Sequence, residues 1–267
     1  MSKLSFSAAW DETRAILARD GRLIWPLGLM TLVLPQLLIG TVMGPAAMAA
    51  AATNASATSL TLLVALVLIA WTRFGGLVGI AQLALHSDER VGDALRSGLL
   101  RGPAVLGATV LLLIPLTALM APALIATSAQ QQPSPAAALA FLAGLVIGVV
   151  ILARLQFAVS IAAAEGGNPI RLLVRSWQLT KGRTLRLLGF VLLFLALLLI
   201  VTLALSAVLG SLVILALGKP EPMSVAALLL SGLGLLGELL VLVPYSVMLA
   251  RLYRQASHGS ATVPHAP

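Results

Sequence analysis

Six long apolar segments separated by short polar gaps organise this chain. They run over about 23–43, 60–85, 104–127, 137–163, 187–217 and 225–250, each at or beyond the roughly 20 residues a helix needs to cross a hydrocarbon core. The gaps alternate in kind. Residues 44–59 (GPAAMAAAATNASATS), 128–136 (SAQQQPSPA) and 218–224 (GKPEPMS) are small or Pro-punctuated turns. The other gaps carry a helical period. In 168–182, Asn168 suits an N-cap, Pro169 the first helical position and Gly182 a stop. Ile170, Leu173, Val174 and Trp177 follow i, i+3, i+4, i+7, opposite Arg171, Arg175 and Gln178. The segment 88–102 repeats the design with Val91, Ala94, Leu95, Gly98 and Leu99, and the arm offers Phe6, Ala9, Trp10, Thr13 and Leu17. Three amphipathic helices lying in the interface, apolar face towards the acyl chains, are the expectation.

The two better copies align. Residues 94–102 (ALRSGLLRG) match 173–182 (LVRSWQLTKG) with one position inserted, and each Arg-Ser pair follows an arginine inside the preceding span, Arg73 or Arg154, at a similar distance. The arm is a looser copy: Arg14 stands before Gly21 at the same spacing as Arg175 before Gly182. The predicted fold is an all-α integral membrane protein of six spans, built as three repeats of interfacial helix plus two spans. The membrane domain covers 1–257, and a disordered cytoplasmic tail covers 258–267. Internal symmetry of this kind is frequent in transporters, though not confined to them.

Charge orients the layout. Fourteen bases lie in the arm (Lys3, Arg14, Arg19, Arg22), the second gap (Arg90, Arg96, Arg101), the fourth gap (Arg171, Arg175, Lys181, Arg183, Arg186) and the tail (Arg251, Arg254), against Lys219 alone in the opposite gaps. Short basic loops stay in the cytoplasm, so both termini are expected inside. A composition of 60% hydrophobic and 10% charged residues with mean hydropathy +1.05 excludes an ordinary soluble domain. The net charge of +8 flanks spans and forms no single nucleic-acid face. Its expected partners are membrane lipids with anionic headgroups. The chain has no cysteine, which removes disulfides and thiolate metal sites.

The run 165–188, EGGNPIRLLVRSWQLTKGRTLRLL, with the preceding span that carries Arg154, resembles the membrane domain associated with glycerophosphoryl diester phosphodiesterases. It also resembles related stand-alone six-span bacterial inner-membrane proteins. The close match is confined to that run and the span before it, and the six-span layout extends it loosely over the chain. The resemblance implies an inner-membrane location and is nearly silent on activity. It does not imply the phosphodiesterase reaction, which in fused members resides in a separate metal-dependent barrel for which this chain leaves no room.

Candidate chemistry is sparse. Arg73, Arg154 and Glu238 fall inside spans, where an ionised side chain costs about 2.5–3.5 kcal/mol on insertion scales and therefore seeks a partner or water. They form either a structural ion pair, with the second arginine on glutamine or backbone carbonyls, or a polar path for an anion or proton. The cytoplasmic motif comprises Arg96, Ser97, Arg101 and Gly102 in one copy and Arg175, Ser176, Trp177, Thr180, Lys181 and Gly182 in the other. It suits membrane anchoring, a specific lipid headgroup or a cytosolic protein partner. His86, Asp88, Glu89 and Asp93 cluster, but Asp88 and Glu89 read as charges at a helix N-terminus. No HExxH, GxSxG or phosphate-binding glycine loop occurs, and no catalytic residue, metal or cofactor is assigned. The expected role is a non-enzymatic scaffold or accessory factor in envelope or lipid homeostasis. A transporter of an amphiphile or small anion is the alternative, and a lipid-headgroup phosphodiesterase-related activity comes third.

Overall fold

In lipid only intrahelical hydrogen bonds can satisfy the backbone of a single span, and every regular element among the described residues is a helix. The structure, a computed structural model, describes residues 5–43, 60–86, 89–128, 134–218, 221 and 224–258. The first rod is α1 (Phe6–Gly28), a π turn (Leu29–Val33) and α2 (Leu34–Met43). Then come α3 (Leu60–Leu85), α4 (Val91–Ser128), α5 (Pro135–Leu155), the short α6 (Ala158–Ala164) and α7 (Pro169–Thr180). The fifth rod is α8 (Thr184–Leu205), a second π turn (Ser206–Gly210) and α9 (Ser211–Leu217), and the last is α10 (Val225–His258). Six rods are long and apolar enough to cross a membrane. The expected tail beyond His258, Lys219 and Asp88 lie outside the described residues.

The rods begin and end differently from the sequence reading. The arm and the 88–102 segment are not separate helices: the first continues through Pro26 into its span, and the second through Pro103 into α4. The reason lies in the turn glycines. Lys181 leaves the helical region (ψ 128°) and Gly182 takes a left-handed conformation (φ +78°), in a turn closed by Arg183 N–H on the Thr180 carbonyl, whereas Gly21 and Gly102 are helical. With both glycines helical, the chain runs on into the span without a turn. Gly102 does something else. It packs on Gly75 of α3 so closely that a Cβ would stand 2.8 Å from the Gly75 nitrogen, and Gly98 one turn earlier meets the same stretch of α3 backbone. Small residues at four-residue spacing thus bring α3 and α4 into backbone contact.

The core sits towards one end of the bundle, where α1, α6, α7 and the last turns of α3 and α10 converge. Ile24, Leu27, Ile80, Phe157, Ile161, Leu172, Leu187, Val247 and Leu252 are fully enclosed there. Phe190 stacks on Tyr245 (centroids 5.5 Å apart) and also meets Phe6 and Phe194. A clasp joins α1 to α10: Ser5 N–H donates to Gln255 Oε1 at 3.0 Å, and Gln255 Nε2 donates to the Ser5 carbonyl. At the other end the same rods leave Leu60, Ile125, Leu139, Ile200, Leu203 and Leu215 exposed, as lipid-facing residues must be.

α7 has its predicted start and stop: the Asn168 side chain accepts from Arg171 N–H at 2.8 Å, and Pro169 follows. Its packing differs from the sequence reading. The helix turns Leu172, Ser176, Leu179 and Thr180 into the bundle and leaves Ile170, Val174 and Trp177 of the predicted stripe exposed, with Leu173 between. It folds back along α6, so that its first turns lie near Glu165 and its later turns reach Arg154.

Candidate functional site

The intramembrane charges separate into two unrelated settings. Arg73 on α3 forms an ion pair with Glu238 on α10, and its second Nη donates to Gln36 Oε1 on α2 at 3.4 Å. Three rods converge on one guanidinium, satisfying its charge and part of its donor fork. The pair is not sealed: the two side chains keep 28% and 26% of their surface exposed. A crevice of about 390 Å³ between the first and last rods is lined by Gln36, Thr41, Ser224 and Ser231 with glycines and leucines. It ends one turn short of Glu238 along α10, at Gly234 and Leu235.

Arg154 has no part in this. Its guanidinium lies 4.1 Å over the Trp177 ring, a cation–π contact worth about 0.5–2 kcal/mol depending on desolvation. Its carbonyl accepts from Ser176 Oγ at 2.6 Å. The position follows from a break after Leu155, where α5 gives way to a turn at Gln156 and Phe157 before α6. That break lets α7 tuck against Arg154 from the side of Glu165.

Glu165 organises the cytoplasmic motif. Its Oε1 accepts from Tyr253 on α10 at 2.8 Å and pairs with Arg175 Nε at 3.3 Å, and Arg171 lies 4.0 Å from Oε2. One carboxylate thus holds α7 against the end of the last rod. Arg101 reaches across from α4 and donates from one Nη to the carbonyls of Ala162 (3.2 Å) and Ala163 (2.5 Å). These are C-terminal carbonyls of α6, of which Ala162 also accepts from Gly166 N–H at 3.2 Å, and a cation there is favoured by the helix dipole. Beside Glu165 a shallow groove runs over Asn168, Ile170, Arg171, Val174, Arg175 and Gln178.

The remaining motif residues sort by exposure. Arg96 and Lys181 point outwards. Ser97 donates to Gln82 Oε1 on α3, so both Arg-Ser serines bond back to the preceding rod. Thr180 is buried and donates to the Ser176 carbonyl at 2.9 Å. The sequence reading named neither Tyr253 nor Gln36 as site residues, and no local pattern could have found them: their partners lie 88 and 37 positions away. His86 stands 4.0 Å from Glu89, and among the described residues no three His, Asp or Glu side chains converge as a metal site would need. The hydroxyls of Ser176 and Thr180 are committed to backbone carbonyls.

Comparison with known proteins adds a family without an activity. No curated protein matches the chain, and no solved structure does. Residues 12–256, which reach from the first rod into the last, match the family described as a domain of unknown function (DUF7847), and the chain belongs to that family.

Proposed function

We propose that this protein is a non-enzymatic membrane scaffold or accessory factor in envelope or lipid homeostasis, with its working face at the α7 end. One observation carries the reading: α7 has three faces. Leu172, Ser176, Leu179 and Thr180 bind it to the bundle, Ile170, Val174 and Trp177 are apolar and exposed, and Arg171 and Gln178 are polar and exposed, with exposed Lys181 just past the helix end. A helix held rigidly at the boundary with one free apolar and one free basic face suits acyl chains on one side and anionic headgroups on the other. Both termini are then cytoplasmic, as the charge asymmetry expects, and the location is a bacterial inner membrane. Two of the three expected repeats are supported by their Arg-Ser serines, each bonded to the rod before it. The likeness of 165–188 to the membrane domain of glycerophosphoryl diester phosphodiesterases points the same way, towards lipid chemistry carried out by others.

Nanodiscs of mixed phosphatidylcholine and phosphatidylglycerol test the reading. The protein should retain phosphatidylglycerol in excess, and R171Q combined with K181Q should reduce that excess. Equal retention of both lipids by the unaltered chain would remove the headgroup face. Reporter fusions at Asp93, Lys181 and Gln255 should read cytoplasmic, and those at Thr53, Gln131 and Lys219 outside.

A second reading, transport of a small anion, is favoured by the crevice that approaches the Arg73–Glu238 pair. Proteoliposomes loaded with an anion-sensitive dye separate the two. The accessory role leaves them tight. A protein-dependent flux that disappears in E238Q would promote the transporter.

A further inference from the structure

A larger cavity, of about 540 Å³, lies between α4, α5, α6 and α10, and none of the charged candidates lines it. Val105, Ala108, Leu112, Val149, Val159 and Leu249 supply much of its wall, and no Asp, Glu, Lys or Arg lines it. Its volume falls in the range of ligand sites, about 300–1,000 Å³. Three lining residues, Leu113, Leu145 and Leu152, are 48–55% exposed, which places a mouth between α4 and α5 on the lipid side.

Five polar side chains, Thr109, Gln156, Ser160, Tyr245 and Ser246, interrupt the apolar lining, and two of them, Gln156 and Ser160, hold buried oxygens without a hydrogen-bond partner. Gln156 is only 6% exposed, and its Nε2 donates to the Leu187 carbonyl at 3.1 Å. That bond fixes the carboxamide, and among the described residues its Oε1 has no hydrogen-bond partner. Ser160, 1% exposed, likewise has an unpartnered Oγ. A helical serine ordinarily bonds the carbonyl four residues back, but here that residue is Gln156, in the turn between α5 and α6. Buried polar atoms are nearly always satisfied, and both residues belong to the wall of the same cavity.

We infer that the cavity binds a neutral single-chain lipid with a terminal hydroxyl, its alkyl chain along the leucine and valine walls and its hydroxyl between Gln156 and Ser160. The chemistry selects this class. Gln156 Oε1 can only accept, so the ligand must donate, whereas Ser160 Oγ can give or take a hydrogen bond. One alcohol group serves both. An alkane satisfies neither, a carboxylate cannot donate to Gln156, and a charged headgroup would meet no counter-charge. The inference does not rest on the accessory reading, because an accessory factor and a carrier could both use such a site.

The test uses the full chain in phosphatidylcholine nanodiscs and a photoreactive diazirine analogue of hexadecan-1-ol. Adducts mapped by mass spectrometry should concentrate on Leu112, Val149 and Val159. Hexadecan-1-ol should compete at least about tenfold better than hexadecane or palmitate. S160A should weaken labelling a few-fold, the worth of one neutral hydrogen bond, and A108F, which fills the cavity, should abolish it. Should A108F not fold, S160A and the competition series still decide. Adducts spread evenly over the outward faces of the rods, equal competition by hexadecane, or S160A labelling at the unaltered level would each overturn the proposal. The first of these outcomes would mean that ordinary annular lipid fills the space.

Discussion

The two ends of this bundle are built from the same six rods and differ in almost everything else. At the α7 end, enclosed aromatic and aliphatic side chains, the Ser5–Gln255 clasp, the Glu165 cluster and the Arg101 cap hold every neighbouring rod. At the other end the rods expose leucines and isoleucines, and the crevice between the first and last rods opens there. The difference teaches where the fold's specificity resides. Apolar burial cannot drive helices together in lipid, since tails are as apolar as leucine, so close packing and polar bonds must do so. Both are concentrated at one end.

The largest expected effect tests that contrast directly. L172A removes a fully enclosed side chain from α7 and should cost about 2–5 kcal/mol, whereas L203A at the exposed end should change stability by no more than about 0.5 kcal/mol. Unfolding in mixed micelles measures both, and equal losses would break the comparison.

The Arg73–Glu238 pair sits where the two regimes meet. E238Q leaves its arginine without a counter-charge and should cost about 2–3 kcal/mol, below the roughly 3–5 kcal/mol of a fully buried pair because a quarter of each side chain remains exposed. R73M in the same chain should recover much of the loss, giving a coupling above about 0.5 kcal/mol, and R154M should couple with E238Q by close to zero.

A smaller effect separates the α7 turn from its two weaker copies. G182A forces an L-residue into φ +78° and should cost about 1–2 kcal/mol. G21A adds a methyl to a helical position where the nearest atom would be 3.4 Å away, and it should be neutral or gain up to about 1 kcal/mol. Equal penalties would mean that the arm also ends in a left-handed turn. Smallest of all, W177L should lose about 0.5–1 kcal/mol through the Arg154 contact, and the loss should vanish when R154M is already present.

The six rods were legible because hydropathy sustained over the length of a span is a strong signal, and the prolines and glycines between them are unambiguous. The cap and stop of α7 were legible for a related reason: Asn168, Pro169 and Gly182 are local chemistry. The faces of α7 were not. Leu172 and Leu179 are as apolar as Ile170 and Val174, and which set meets protein depends on rods outside the segment. The separate interfacial helices expected at 6–19 and 88–102 failed on one dihedral angle, which composition does not reveal. Among the candidate charges, the sequence narrowed Glu238's partner to two arginines. Only the tertiary arrangement, with α7 folded back onto Arg154, places Arg73 and not Arg154 beside it.

The glycine seam of α3 and α4 has a consequence for tolerance to change. At Gly98 and Gly102 any side chain collides with backbone, which cannot swing aside as a leucine tip can. A saturation scan of the chain should therefore show two sharp notches there, one helical turn apart. They should be intolerant even of alanine, in a rod whose outward positions accept nearly any apolar residue. Such notches would let this hairpin be found in distant relatives after most of the surrounding identity had drifted away.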